Sequence, residues 1–297
     1  MLTLILALVQ APMAAVDTIP MQWTPHRVYD SHRKEFTDFE AMAGELAKAD
    51  VVFFGEQHDD VGTHRMQRAL LEAIGRRRSN VVLAMEMFER DVQPVLDQYL
   101  AGTITEEQFL AASRPWPKYA RDYRPLVEYA RARGWKVVAG NVPRRLASAV
   151  AKEGMPAVVS LPDSTRRFAA AEFRCPVNDD YFERCEKQMG GHAAAGMDAR
   201  TTTLRYYEAQ CVKDETMAES IAAVMNGGPD QPLVVHVNGS FHSDFGDGTA
   251  ERLKRRRRDA KVEVVTGVPV TDLDAIKPKP DRKKGDWLVY TLGTPAK

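Results

Sequence analysis

Val51-Val52-Phe53-Phe54-Gly55-Glu56-Gln57-His58-Asp59 is the stretch whose reading decides the fold. Four apolar residues in unbroken succession read as a strand covered on both faces, ended by the glycine and the polar residues behind it. The arrangement recurs far along the chain. There Leu233-Val234-Val235 and Val237 lead into Gly239-Ser240-Phe241-His242. In open α/β sheets, ligands bind beyond the carboxyl ends of such strands. Two Gly-x-x-His elements at strand ends therefore place two imidazoles and a carboxylate at one edge of one sheet.

Working outward, Val81-Val82-Leu83-Ala84-Met85 reads as a strand delivering Glu86, and Trp135-Lys136-Val137-Val138-Ala139 as one ending at Gly140-Asn141. Helical spacing of apolar residues marks helices at 38–47 (capped by Thr37), 63–78, 93–100 and 106–112. A further helix contains Leu126, Val127 and Ala130. This strand–helix rhythm predicts an α/β fold with a mostly parallel central sheet and flanking helices. It breaks between 143 and 228, where only helical segments (144–152, 165–173, 179–189, 201–225) are legible, so this stretch reads as a helical insertion. The sheet resumes at Leu233, continues at Val262-Glu263-Val264-Val265 and ends with Trp287-Leu288-Val289-Tyr290 as an edge strand. Residues 16–33 read as a loosely structured lead-in. The whole from 28 to 292 reads as a single domain.

Lys plus Arg and Asp plus Glu number 41 each, so no global field points to nucleic acid or an anionic surface. The basic run Lys254-Arg255-Arg256-Arg257-Arg258 follows a helical stretch and reads as a solvated helix end, where the macrodipole favours cations. Leu2 to Val9 is apolar and is followed by Pro12-Met13-Ala14-Ala15. It falls short of the about 20 residues a membrane span needs. Residues 1–15 read as a secretory leader, against a buried first strand as the other reading. The expectation is an exported, periplasmic or envelope-associated protein without a transmembrane segment. No Cys follows the run to carry a lipid anchor. Cys175 and Cys185 bracket a short loop that a disulfide would suit in an oxidising compartment. Cys211 reads as a helical core residue.

Every strand end delivers polar groups: Glu56 and His58, Glu86, Asn141, and Asn238 with His242. Burying such groups without partners is costly, so the economical arrangement has them share a pocket. His58, His242, Glu56 and Glu86 suit a divalent metal and suit acid/base work equally. The plainer reading of Glu56 is a cap on the following helix. His236, inside an apolar run, reads as a hydrogen-bonded core histidine, and His64 as a solvated residue on a helix start. His26, His32 and His192 carry no specific signal.

Gly55-Glu56-Gln57-His58-Asp59, Met85-Glu86-Met87-Phe88, Asn141-Val142-Pro143-Arg144, Ala209-Gln210 with Asp214 and Met217-Ala218, and Gly239-Ser240-Phe241-His242 together resemble the ChaN-like haem-binding family. That family belongs to the Tiki/TraB/erythromycin-esterase superfamily. The resemblance covers residues 28–292 and implies an α/β fold with a helical insertion. It implies an exported haem binder in haem or iron acquisition at the cell envelope, with haem held through a tyrosine and across a homodimer. The tyrosines offered are Tyr119, Tyr123 and Tyr207, with Tyr181 and Tyr206 nearby, and Asn141 joins them as a cofactor-binding candidate. For the superfamily's enzymes the resemblance implies metal-dependent or acid/base hydrolysis through His58, His242, Glu86 and Arg144; in a hydrolase built on this pocket Glu56, Glu86 and Arg144 would be catalytic, with His58 and His242 as metal ligands beside the two glutamates.

Overall fold

The computed structural model describes residues 23–293 apart from 192, 193, 195 and 229; the leader reading and His192 lie outside the described residues. Its strands are β1 (His26–Asp30), β2 (Glu35–Thr37), β3 (Val51–Glu56), β4 (Val81–Glu89), β5 (Lys136–Asn141), β6 (Leu233–Gly239), β7 (Val262–Val270) and β8 (Trp287–Leu292). They form one sheet in the order β2-β1-β8-β7-β3-β6-β4-β5. From β8 to β5 every neighbouring pair is parallel, while β1 runs antiparallel to both β2 and β8.

Two expectations change here. The lead-in 16–33 contains a strand, β1, whose Val28 is buried in the core. Consequently β8 is an interior strand between β1 and β7. Its residues Leu288, Val289 and Tyr290 are buried accordingly.

The order β3-β6-β4 positions the site. β6 comes from far along the chain and lies between two strands that are consecutive in sequence. Phe54 of β3 and Met85 of β4 both pair with Val237, and Glu56 pairs with Gly239. The ends of three strands thus stand level, with Glu56 and Glu86 on either side of the second Gly-x-x-His. Both motif glycines are required by this close approach. A Cβ at Gly55 would fall 2.9 Å from Ser240 Cα, and one at Gly239 would fall 2.8 Å from the His58 ring.

Period-2 alternation divides the strand residues between two cores. Val52, Phe54, Leu83 and Met85 pack with the helices Phe39–Leu46, Val61–Gly75, Gln93–Leu100 and Arg124–Ala132. Val51, Phe53, Val82 and Ala84 face the helices Ala199–Val224 and Gly248–Arg256 on the other side. Asp38, rather than Thr37, caps the first helix by accepting the Ala41 N–H.

Among its described residues the insertion is helical, with Arg144–Glu153, Pro156–Val159, Asp163–Arg166, Asp180–Met189 and the 26-residue Ala199–Val224. The expected helix at 165–173 stops at Arg166. Beyond it the backbone N–H groups of Ala170 and Ala171 donate to the side chains of Thr216 and Glu219 on the long helix. The basic run is more than a solvated end. Arg255 and Arg256 pair with buried Glu215, and Arg257 donates to the carbonyls of Ala222 and Met225.

The disulfide joins Cys175 to Cys211, and Cys185 is a free, buried thiol. The helix Asp180–Met189 turns Cys185 inward against Tyr181 and Tyr207, while Cys175, packed at the border of the same cluster, bonds Cys211. The bridge spans 36 residues and ties the loop before that helix to the long helix. Closing a loop of this size stabilises by about 3–4 kcal/mol through the unfolded chain's entropy. Urea unfolding of Cys175→Ser is expected to show a loss of roughly 2–4 kcal/mol. Thiol counting of the denatured, unreduced protein is expected to find one reactive group.

Candidate functional site

Glu56, at the end of β3, is buried and fully occupied. Its Oε1 accepts from Tyr123 Oη at 2.7 Å and lies 2.9 Å from His58 Nδ1. Its Oε2 accepts from Gln67 Nε2 at 2.7 Å and stands 3.4 Å from His64 Nδ1. Burial alone would raise this carboxyl, but the hydrogen bonds and charges of His58 and His64 outweigh it and hold Glu56 below its usual range. His64 is therefore not solvated. It is buried against Tyr123 and between Glu56 and Asp122. Burial pushes its imidazole down, yet the hydrogen bond and charge of Glu56 and the charge of Asp122 raise it to about 9.

The second pair lies on the other face of the sheet. Glu86 Oε2 accepts the Gly239 N–H at 2.7 Å, and Oε1 is 3.4 Å from His242 Nε2. His242 Nδ1 is 2.7 Å from Asp214 Oδ1, which also accepts from Thr249 Oγ1. Asp214 Oδ2 accepts from Tyr181 Oη at 2.5 Å. Burial opposes every charge in this row. The two flanking carboxylates nevertheless raise His242 to about 10, and His242 in turn holds Glu86 and Asp214 down. At neutral pH His242 is an imidazolium locked between two carboxylates.

His58 differs. Its Nδ1 is committed to Glu56, and its side chain is 48% exposed at the cavity. With the Glu56 carboxylate holding the proton on Nδ1, the acceptor of the neutral ring is Nε2, which has no protein partner among the described residues. The ring meets Trp116 edge-on. Burial lowers its pKa, but the hydrogen bond to Glu56 and the charges of Glu86 and Glu56 outweigh it, for a net rise.

The cavity has a volume of about 580 Å3, within the roughly 300–1,000 Å3 of ligand sites. Its floor is Glu56, His58, Glu86, Gly239 and His242; one wall holds Tyr206, Gln210 and Lys213 of the long helix. Trp116, Phe241 and Phe245 supply aromatic surface, and Arg184 and Lys187 supply further positive charge. Tyr206, Gln210 and Lys213 stand at i, i+4 and i+7, one stripe of a helix.

The residues singled out from the chain's motifs separate on this map. Glu56, His58, Glu86 and His242 come together, but not as one metal set. Among the described residues, the only three or more His, Cys, Asp or Glu side chains with donor atoms mutually within 4.8 Å are His32, Glu263 and Asp286. The reason is the strand period. Glu56 shares a face with Phe54, and Glu86 shares the opposite face with Ala84, so each carboxylate takes its own histidine. Arg144 is exposed and lines a separate cavity with Glu89, Arg114 and Arg145, reached across Trp116. Asn141 is structural, its amide donating to the Glu86 carbonyl and its Oδ1 accepting the Val142 N–H.

Of the tyrosines, Tyr123 is held by Glu56 and Tyr207 by the Pro176 carbonyl, and Tyr119 is packed between Phe88 and Phe109. None of the three lines the cavity; Tyr206 does. His236 is a core histidine, edge-on to Phe53, and burial drops it to about 4. No hydrogen bond reaches either ring nitrogen within ordinary geometry, so the expected bonding is not found. The roles of His64, Gln67, Tyr181, Lys213 and Asp214 go beyond what their motifs show. The helical spacing from Tyr206 to Asp214 was the available signal.

Comparison with known proteins gives one family. The family model described as haem-binding uptake, Tiki superfamily, ChaN matches residues 42–253. A curated relative, the chloroplastic protein RETICULATA-RELATED 5 of Arabidopsis thaliana, is 24% identical over 267 residues. That match covers 84% of this chain and 35% of the relative, so the chain spans about a third of that protein's length. A solved structure described as cofacial heme binding to ChaN of Campylobacter jejuni has the same fold, with a TM-score of 0.68 at 20% identity. It covers 90% of this chain and 97% of that one. No described helix is long and apolar enough to cross a membrane.

The paired charges make stability depend on pH in a defined direction. His64 and His242 have folded pKa values above their ordinary 6.5, so their contribution is complete below that value and is lost as pH rises through about 9 to 10. Glu56, Glu86 and Asp214 are depressed, so theirs is lost as pH falls below the usual carboxylate range. NMR titration of the imidazoles is expected to find His64 and His242 still charged at pH 8, and His236 still neutral at pH 5. A His242 resonance titrating near 6.5 would refute the ion row.

Proposed function

Because this chain belongs to the ChaN family of haem-binding uptake proteins, we propose that it binds haem in the cavity at the carboxyl edge of the sheet and handles haem or iron at the cell envelope. Beside the family, the observation that carries this reading is Tyr206, a phenol set in the wall of a cavity of suitable size. Haem iron accepts an axial tyrosine, and bound haem would supply the chelated iron that the protein carries. The donor set fits. Of the cavity-lining Tyr206, His58 and His242, the last is committed to Asp214 and Glu86, so Tyr206 and His58 are the residues that would hold the iron. Lys187, Lys213 and Arg184 suit carboxylate side groups, and Trp116, Phe241 and Phe245 suit a flat apolar ring. Burial holds the Tyr206 phenol above its ordinary pKa, so in the free protein it is neutral. Export and the pairing of two copies over the haem belong to the same proposal, supported by the apolar leader and by the family resemblance.

A second reading rests on His58. An imidazole with one nitrogen fixed by a buried carboxylate and the other facing a cavity is the arrangement of a general base. In that reading Lys213 and Arg184, rather than Arg144, stabilise developing negative charge.

Haemin titration followed at the Soret band is expected to saturate in the wild type. Tyr206→Phe is expected to bind about tenfold or more weakly, as loss of a ligand entails, while Tyr207→Phe leaves the curve unchanged. Absence of a saturable Soret shift sinks the haem reading. Ester hydrolysis by the haem-free protein that disappears in His58→Ala would establish the second.

A further inference from the structure

We propose that His32, Glu263 and Asp286 form a binding site for a divalent first-row transition cation, independent of the cavity. Three separate segments converge here: the turn after β1, the start of β7 and the residue before β8. Glu263 lies at the amino end of β7, beside Val52 in β3. The site thus occupies the edge of the parallel sheet opposite the cavity, and neither proposed function has any use for it.

One imidazole and two carboxylates, each offering an atom within 4.8 Å of the others, make a mixed donor set suited to zinc- or manganese-like ions. Around a tetrahedral ion with bonds of about 2 Å, donor atoms sit roughly 3.4 Å apart. His32 Nε2 and Asp286 Oδ1 are already 3.0 Å apart as a direct ion pair, whose proton an entering cation replaces. Groups outside the trio orient it. The Val264 N–H donates to Asp286 Oδ2 at 2.8 Å, leaving Oδ1 toward His32. Trp287 Nε1 donates to Glu263 Oε2 at 3.3 Å, leaving Oε1 for an ion. Asp30 Oδ1 accepts the backbone N–H groups of His32 and Arg33 and so fixes the turn that presents the imidazole. Outer partners that hold the spare oxygen of a ligating carboxylate, as for Asp286 and Glu263, are a feature of metal sites.

The competing occupant is the Lys261 ammonium, 3.7 Å from Glu263 Oε1 and half exposed. Such exposed pairs are worth about 0–1 kcal/mol, so a divalent ion displaces it at little cost. Three protein donors leave further positions to water, and the ion would pin the antiparallel hairpin β1–β2 to the parallel body of the sheet.

Calorimetric titration of the tag-free full chain, without haem, with Zn2+ in a non-chelating buffer tests the site. Saturable binding is expected, about tenfold or more weaker in His32→Ala and in Asp286→Asn and unchanged in His58→Ala. Co2+ in place of Zn2+ is expected to give visible absorption bands that His32→Ala abolishes; circular dichroism verifies that this exposed substitution leaves the fold intact. No saturable binding by the wild type overturns the proposal. So does binding that survives both substitutions, or binding that is lost in His58→Ala and kept in His32→Ala, which would place the ion in the cavity.

Discussion

Glu86 is an ionised carboxylate buried at the junction of β4 and β6, and the rest of the site is built around keeping it charged. Its two oxygens have two partners, the backbone N–H of Gly239 and the imidazolium of His242. The first pins the end of β6 against β4. The second draws in Asp214 and, through it, Tyr181 and Thr249. Removing one member of such a buried set leaves an uncompensated charge, at a cost of about 3–5 kcal/mol. The helix carrying Asp214 also carries Tyr206, Gln210 and Lys213, so the ion row fixes the cavity wall as well as its floor.

Glu56 plays the equivalent part on the other face, with His58, His64, Gln67 and Tyr123 around it. The two carboxylates are separated by strand alternation and meet at Gly239, on which the His58 ring rests within reach of the Glu86 charge. What results is two ion networks back to back. In one, both nitrogens of its histidine, His242, face carboxylates. The other ends in His58, whose free nitrogen opens on the cavity. A carrier needs the rigid floor and the tyrosine; a hydrolase needs the free imidazole.

Much of this was legible in the sequence. Apolar runs ended by glycine identified β3, β4, β5 and β6 and the polar groups at their ends, because a strand covered on both faces leaves an unmistakable run. What the chain could not reveal was the spatial order. The insertion of β6 between β3 and β4 sets Glu56 and Glu86 on either side of Gly239, and nothing local encodes that. His64 looked solvated because its helix start is polar, whereas it is buried by Tyr123, from a distant segment. Cys211 looked like a core residue because its disulfide partner lies on a loop that only the packing of Asp180–Met189 brings near. The short β1 was hidden because Val28 and Tyr29 are too brief an apolar signal between His26-Arg27 and Asp30. Tyr206 stood in the right helical stripe, but its neighbour Tyr207 was equally plausible until the helix's orientation was known.

The placement of haem against Tyr206 is tested most directly by resonance Raman spectroscopy of the ferric haem complex, prepared with ring-deuterated tyrosine. Iron–phenolate bands that shift with the label and vanish in Tyr206→Phe are expected. Phenolate bands that persist in Tyr206→Phe, or a spectrum of haem ligated by imidazole alone, would contradict it.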